Sequence, residues 1–184
     1  MKLGLILVDI QNDYFPGGRM ELNGMRRASV NAGSLLALFR DRRWPTFHVQ
    51  HVFTGPDAPF FLPDTEGVKI HESIAPLPGE LVIQKHFPNS FRETRLLEEL
   101  RSAGVDKLVI CGAMSHMCID ATTRHAADLG FPCTLAHDAC ATRDLAFGSR
   151  IVSAEDVHAS FMSALGWAYA ELFKTADLLK LNKG

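Results

Sequence analysis

The sequence predicts an α/β protein of three layers, a Rossmann-like fold whose mostly parallel, six-stranded sheet carries helices on both faces. Three observations carry that expectation. Residues 3–10 form a continuous apolar run without alternation, as a strand buried on both faces requires. Short runs rich in β-branched residues then alternate with stretches of helical periodicity, the pattern of repeated β–α units. Residues 108–111 are apolar, Gly112 breaks the run, and helical spacing begins at Ser115, so a strand hands over directly to a helix.

The elements follow in order. Residues 12–18 read as a loop, and 23–42 as a helix with an apolar stripe at Val30, Leu35, Leu38 and Phe39. Residues 46–53 are a second strand. Residues 55–79 are rich in Pro and Gly and long for a connection in a compact domain, which points to a lid or a wall. A third strand, 81–84, ends at Lys85. A helix over 91–103 and a strand over 107–111 follow. Met117, Ala121, Arg124, His125, Asp128 and Leu129 then run at helical spacing until Gly130 and Pro132 stop them. Residues 131–136 are the next strand and 154–165 the next helix. Residues 168–173 fit a sixth strand or a continued helix; the strand is preferred, with Thr175 capping a final helix. No repeat or linker divides the chain, and a single domain over residues 1–184 is expected.

Composition narrows the function. A chain of 184 residues can bury a sizeable core, and a net charge of −2 offers no basic surface for nucleic acid. No apolar stretch is long enough to span a membrane. The N-terminal apolar run is broken by Asp9 with no small-residue cleavage site after it, unlike a signal peptide. Four cysteines, at 111, 118, 133 and 140, make no CxxC pair. That spacing argues against a zinc ribbon and fits free thiols in a reducing, cytoplasmic compartment. Cys111 and Cys133 read as core thiols, and Cys140 as a loop residue.

In open α/β sheets, ligands bind beyond the carboxyl ends of the strands. Asp9, Lys85 and Cys118 stand at three such ends. Cys118 falls in the first turn of a helix, where unpaired N–H groups and the dipole favour the nucleophilic thiolate. Each residue has a plainer reading. Free cysteines are often buried structural thiols, an aspartate can close a turn, and a lysine can be a solvated charge. Gathered at one edge, however, they supply what a cysteine nucleophile needs: a base in Asp9 and a thiolate-stabilising cation in Lys85. His116 precedes Cys118 by two positions at a helix start, so the two side chains diverge and a papain-like dyad is disfavoured.

Three segments, in order, resemble the isochorismatase-like cysteine hydrolase superfamily, which includes nicotinamidases and N-carbamoylsarcosine amidases. They are LILVDIQNDY at 5–14, VIQKHFPNSF at 82–91 and CGAMSHMCIDATTR at 111–124. The resemblance spans residues 3 to about 175. It implies an amidohydrolase with an Asp9–Lys85–Cys118 triad, acting on a non-peptide carbon–nitrogen bond of a small molecule through a thioester. It also implies a cis peptide between Ala113 and Met114, an oxyanion hole from the Met114 and Cys118 N–H groups, and assembly as a dimer or tetramer. Gln11, Tyr14 and Phe15 would wall the substrate pocket. Phe60 and Phe61 would close it or else anchor their loop, and His51 and His116 are open as substrate contacts. Neither a cofactor nor a metal is expected. Gln50 stands where nicotinamidases carry an aspartate ligand, and His48 and His51, three apart on a strand, point to opposite faces. Two other family readings remain. One is an isochorismatase-type vinyl ether hydrolase, an activity of members lacking the cysteine. The other is a catalytically silent binding member, against which the retained Asp, Lys and Cys speak.

Overall fold

The computed structural model describes residues 2–55 and 57–180. Its six-stranded sheet is parallel throughout, in the order β3-β2-β1-β4-β5-β8. The strands are β1 (Leu3–Val8), β2 (Thr46–His51), β3 (Leu81–Lys85), β4 (Lys107–Ala113), β5 (Cys133–Ala141) and, last in the chain, β8 (Ala170–Phe173). The helices are α1 (Met25–Asp41), α2 (Leu96–Ser102), α3 (Asp120–Asp128), α4 (Ala154–Ala168) and α5 (Thr175–Lys180). In β1 the residues Leu5, Ile6, Leu7 and Val8 are all buried, which is why that run shows no alternation. α1 packs with α5, and α3 with α4, so the sheet is flanked by helices.

Several boundaries differ from the sequence reading, each for a physical reason. The buried stripe of α1 is Met25, Ala28, Ala32, Leu35, Leu36 and Phe39, whereas Val30 is exposed and Leu38 only half-buried. Small residues, Ala28 and Ala32, fill the contact that Val30 had been given. α2 starts at Leu96 because residues 91–95 are taken up by turns; there the Thr94 hydroxyl donates to the Ser90 carbonyl at 2.6 Å. β5 continues to Ala141, which puts Cys140 in a strand and not in a loop. Its pairing with β4 shifts between Ile110 and Gly112, an irregularity that disguises the strand's length. A hairpin of β6 (Leu145–Phe147) and β7 (Arg150–Val152) was not foreseen; it turns through Gly148, at φ 59°.

Gly112 fixes the approach of β1 and β4. It pairs with Val8 on one side and Cys140 on the other, at φ 127°. A Cβ placed there would lie 1.9 Å from the Val8 carbonyl oxygen. Both the clash and the backbone conformation exclude a side chain. Gly112→Ala is therefore expected to destabilise the protein by more than about 4 kcal/mol, in the range that single substitutions reach only through such mechanisms. Urea unfolding checks this, and a variant within about 1 kcal/mol of wild type would show that the two strands can separate freely.

Candidate active site

The site forms where β1 ends. With β2 and β3 to one side and β4 to the other, the chain reverses its strand order at β1, the place where open parallel sheets leave a crevice. Asp9 follows Val8 in a left-handed conformation, φ 52°, uncommon for a residue with a side chain and a recurrent mark of functional positions. Its N–H still donates to the Val49 carbonyl at 3.0 Å, and its own carbonyl accepts from the Gln11 N–H at 3.0 Å. The carboxylate is fully buried beside Lys85, the last residue of β3, with Oδ2 2.8 Å from Nζ. Lys85 also donates to the Pro88 carbonyl at 3.0 Å. His51, the last residue of β2, pairs with Lys85 in the ladder and brings its Nδ1 to 3.8 Å from Asp9 Oδ2.

Cys118 arrives from β4 through a cis peptide between Ala113 and Met114. It does not occupy an α-helical first turn. Ser115–Ile119 is one π-helical turn, closed by the Ile119 N–H on the Met114 carbonyl at 3.2 Å, and α3 begins only at Asp120. Such single π turns recur at functional sites. The turn is tied to the end of β5 and to α4. The Ser115 hydroxyl donates to the Ala141 carbonyl at 3.3 Å and meets His158 Nδ1 at 2.8 Å, while His116 Nδ1 meets the Thr142 hydroxyl at 2.6 Å. His116 is thus turned toward Thr142, as its divergence from Cys118 in sequence implied.

The electrostatics correct one expectation. Burial is the main influence on Cys118 and pushes its thiol up, the Asp9 carboxylate pushes it further, and Lys85 opposes them only in part. The resting sulfur is therefore a thiol, not a thiolate; depth of burial outweighs position in the turn. Asp9 is the reverse case. Burial alone would raise its carboxyl, but Lys85 and His51 hold it below the ordinary carboxylate value. Burial would likewise lower Lys85, yet Asp9 and Cys118 keep it above the ordinary lysine value. The site at rest holds a carboxylate, an ammonium and a neutral thiol.

The predicted pocket residues separate. Gln11 is fully buried, and its amide bonds main chain: Nε2 donates to the His51 and Val68 carbonyls at 2.9 and 2.7 Å, and Oε1 accepts from the His51 N–H at 2.8 Å. It braces the wall of the site. Tyr14 is buried against Phe61 and Phe60, at ring separations of 4.6 and 5.7 Å, and Phe60 packs on Phe53 at 5.1 Å. Phe15 stacks on His71 at 3.5 Å. The long 55–79 segment is pinned as a wall: Asp13 Oδ2 accepts from the Phe61 N–H at 2.7 Å, and Asp13 donates its own N–H to Gly67 at 2.9 Å. Gly67 must be glycine, since a Cβ would lie 2.1 Å from the Asp13 carboxylate. Asp13 was missed as an organising residue. Arg143 was missed as well; its charge acts on Tyr14 and His116, placing a cation beside both.

The nicotinamidase-type metal ligands do not assemble. His48 Nε2 meets Glu80 Oε2 at 3.1 Å while His51 faces Asp9. Gln50 donates to the Val68 carbonyl at 2.9 Å and accepts from Gln84 at 3.1 Å. His48, Gln50 and His51 of β2 thus do not fit that metal.

A parallel sheet with its buried acid, ammonium and thiol at the strand-order reversal defines a protein of isochorismatase-like architecture. The isochorismatase domain model matches residues 4–175, and the chain belongs to that family. It is 52% identical to the isochorismatase family protein YddQ of Bacillus subtilis (strain 168), over 98% of this chain and all of that one. A putative isochorismatase hydrolase from Oleispira antarctica, solved by crystallography, superposes with a TM-score of 0.94 at 50% identity, covering 97% of this chain and 96% of that one. A maleamate amidohydrolase of Pseudomonas putida is 30% identical over 71% of this chain and 68% of its own length. The relatives with named activities are hydrolases, and this chain is a hydrolase of the family. Among the described residues, no helix is long and apolar enough to cross a membrane.

The buried pair makes stability depend on pH in a stated direction. The Asp9 carboxylate, held low, contributes above its unfolded-state value and is lost as pH falls through its folded value. Lys85, held high, contributes below its unfolded-state value and is lost as pH rises through its folded value. The contribution of this pair to the unfolding free energy should plateau from about pH 5 to pH 9 and decline on either side. Lys85→Met should lower the plateau by about 3–5 kcal/mol, the cost of an unpaired buried charge. It should also shift the acid decline upward, since burial then acts on Asp9 with His51 and Cys118 but no ammonium opposing it. An unchanged plateau in that variant would mean that the two charges are solvated in solution.

Proposed function

We propose that this hydrolase is a metal-independent cysteine hydrolase cleaving a carbon–nitrogen bond, in an amide, carbamoyl or ureido group, of a small molecule. The observation that carries this reading is the neutral thiol of Cys118 beside an ionised, fully buried carboxylate at Asp9. Such a carboxylate is a base waiting for a proton. As the sulfur attacks the carbonyl carbon, Asp9 takes the thiol proton, and the carbonyl oxygen becomes an oxyanion facing the Met114 and Cys118 N–H groups. The carbon–nitrogen bond breaks and the nitrogen leaves with the proton from Asp9. Water, deprotonated by Asp9, then cleaves the thioester to release the acid and restore the thiol. Lys85 keeps Asp9 ionised until it takes the thiol proton and steadies the sulfur as its charge develops. The aromatic wall of Tyr14, Phe60 and Phe61 would exclude water around the reacting group.

A panel of primary amides, carbamoyl and ureido compounds assayed for ammonia tests the reading. On the best substrate, Cys118→Ala and Cys118→Ser should abolish turnover with the fold retained, and Asp9→Asn should lower kcat by about 100-fold or more, as loss of a general base does. Exhaustive chelation should leave the rate unchanged. Turnover by Cys118→Ala within a few-fold of wild type would remove the nucleophile from the mechanism. Iodoacetamide should label Cys118 slowly at neutral pH and faster as pH rises, because the resting sulfur is protonated and buried. Rapid labelling at pH 7 would show a preformed thiolate instead.

A further inference from the structure

Asp9, His51 and Cys118 each offer one donor atom, and the carboxylate oxygen, imidazole nitrogen and thiol sulfur lie within 4.8 Å of one another. Among the described residues, no other three His, Cys, Asp or Glu side chains are gathered in this way. All three are buried, and Asp9 Oδ1 has no hydrogen-bond partner. His51 cannot easily swing away. Gln11 holds its backbone N–H and carbonyl, and Phe53 lies against its ring at 4.3 Å. Metal–ligand bonds of about 2.0–2.3 Å place the donors of a tetrahedral zinc site roughly 3.3–3.8 Å apart, so the cluster need close by only about 1 Å.

We propose that these three side chains form an inhibitory zinc site, in which the ion captures the nucleophile and its base together. Zinc takes Cys118 Sγ, an Asp9 oxygen and a His51 ring nitrogen, with a water ionised to hydroxide in the fourth position; the thiol proton and one water proton leave to solvent. Thiolate and imidazole select zinc over magnesium or calcium. The charge balance is favourable for a buried site. At rest, the Asp9 carboxylate and Lys85 ammonium cancel and the thiol is neutral. With zinc bound, thiolate, carboxylate and a hydroxide in the fourth position offset the ion and Lys85, and the total is again zero. Binding therefore releases two protons, one from the thiol and one from the water, and should tighten as pH rises. The site differs in donors from the nicotinamidase type, which this chain does not assemble, and it opposes turnover instead of supporting it. Its occupancy is readable without any substrate, so it stands or falls apart from the reaction proposed above.

The test titrates the purified protein with zinc chloride against a colorimetric chelator. One ion per chain is expected, with proton uptake by the buffer. Cys118→Ala and His51→Leu should each weaken binding beyond the roughly 10–100-fold that losing only a ligand's hydrogen-bond partner costs. Cys133→Ala should bind as wild type does. Cobalt(II) offers a readout that needs no His51 variant: a thiolate-to-metal charge-transfer band in the wild type, absent in folded Cys118→Ala. Saturating zinc should also block alkylation of Cys118, and on any substrate the protein turns over it should stop the reaction until chelator is added. Zinc held equally well by Cys118→Ala, or a cobalt spectrum without the thiolate band, overturns the site. Turnover that rises with zinc overturns its inhibitory role.

Discussion

A carboxylate and an ammonium 2.8 Å apart, neither with exposed surface, cannot be left to find each other. Taking both out of water is costly, and only close geometry and supporting hydrogen bonds offset it. Much of the fold around the site can be understood as meeting that demand. The order β3-β2-β1 places the ends of β1 and β3 two strands apart, with β2 between them. The left-handed turn at Asp9 swings its carboxylate across that gap, and the Pro88 carbonyl takes a second Lys85 hydrogen. Gly112 lets β4 close on β1 from the other side, so that the Cys118 turn lands within reach. Because the pair sets opposite pressures on the sulfur, its integrity also fixes which proton the site holds.

The parts of this arrangement that sequence reveals are those written in periodicity and breakers. An unbroken apolar run marks a doubly buried strand, and Gly112 between a strand and Ser115 marks the handover that leads to Cys118. Asp9, Lys85 and Cys118 are visible because polar residues at apolar strand ends are conspicuous. What is not visible is depth. Cys118 at a helix start reads as activated, yet the sulfur is buried beside a carboxylate, and both push its thiol up. Local pattern likewise misplaces Val30, since two alanines make the closer contact to the sheet. It cuts β5 short because the pairing shift beside Gly112 interrupts the regular ladder.

The 55–79 segment shows why a long loop need not be a lid. Composition marks it as irregular, but its anchors are remote in sequence, among them the Asp13 carboxylate, which holds Phe61 while Gly67 leaves room for it. Gln11 adds three bonds to main chain on both sides of the site. Polar residues beside Asp9 that look like substrate contacts thus serve as braces, and the aromatic side chains they position become the wall. Buried polar groups satisfied in this way rigidify a site more than they recognise a ligand.

A resting thiol beside a ready base also has consequences for how the sulfur survives between turnovers. Oxidation follows thiolate character and exposure, and Cys118 is low in both. In the reaction proposed above, activation is deferred until a carbonyl carbon is near enough for proton transfer and bond formation to proceed together. Were Lys85 to dominate over Asp9, the sulfur would rest as an anion and the carboxylate would have no proton to receive. The order of influences on the sulfur, burial first, then Asp9, then Lys85, therefore fits base-assisted attack better than a stored ion pair between thiolate and lysine. In this geometry the lysine lies 2.8 Å from the carboxylate and also acts directly on the sulfur, against burial and Asp9.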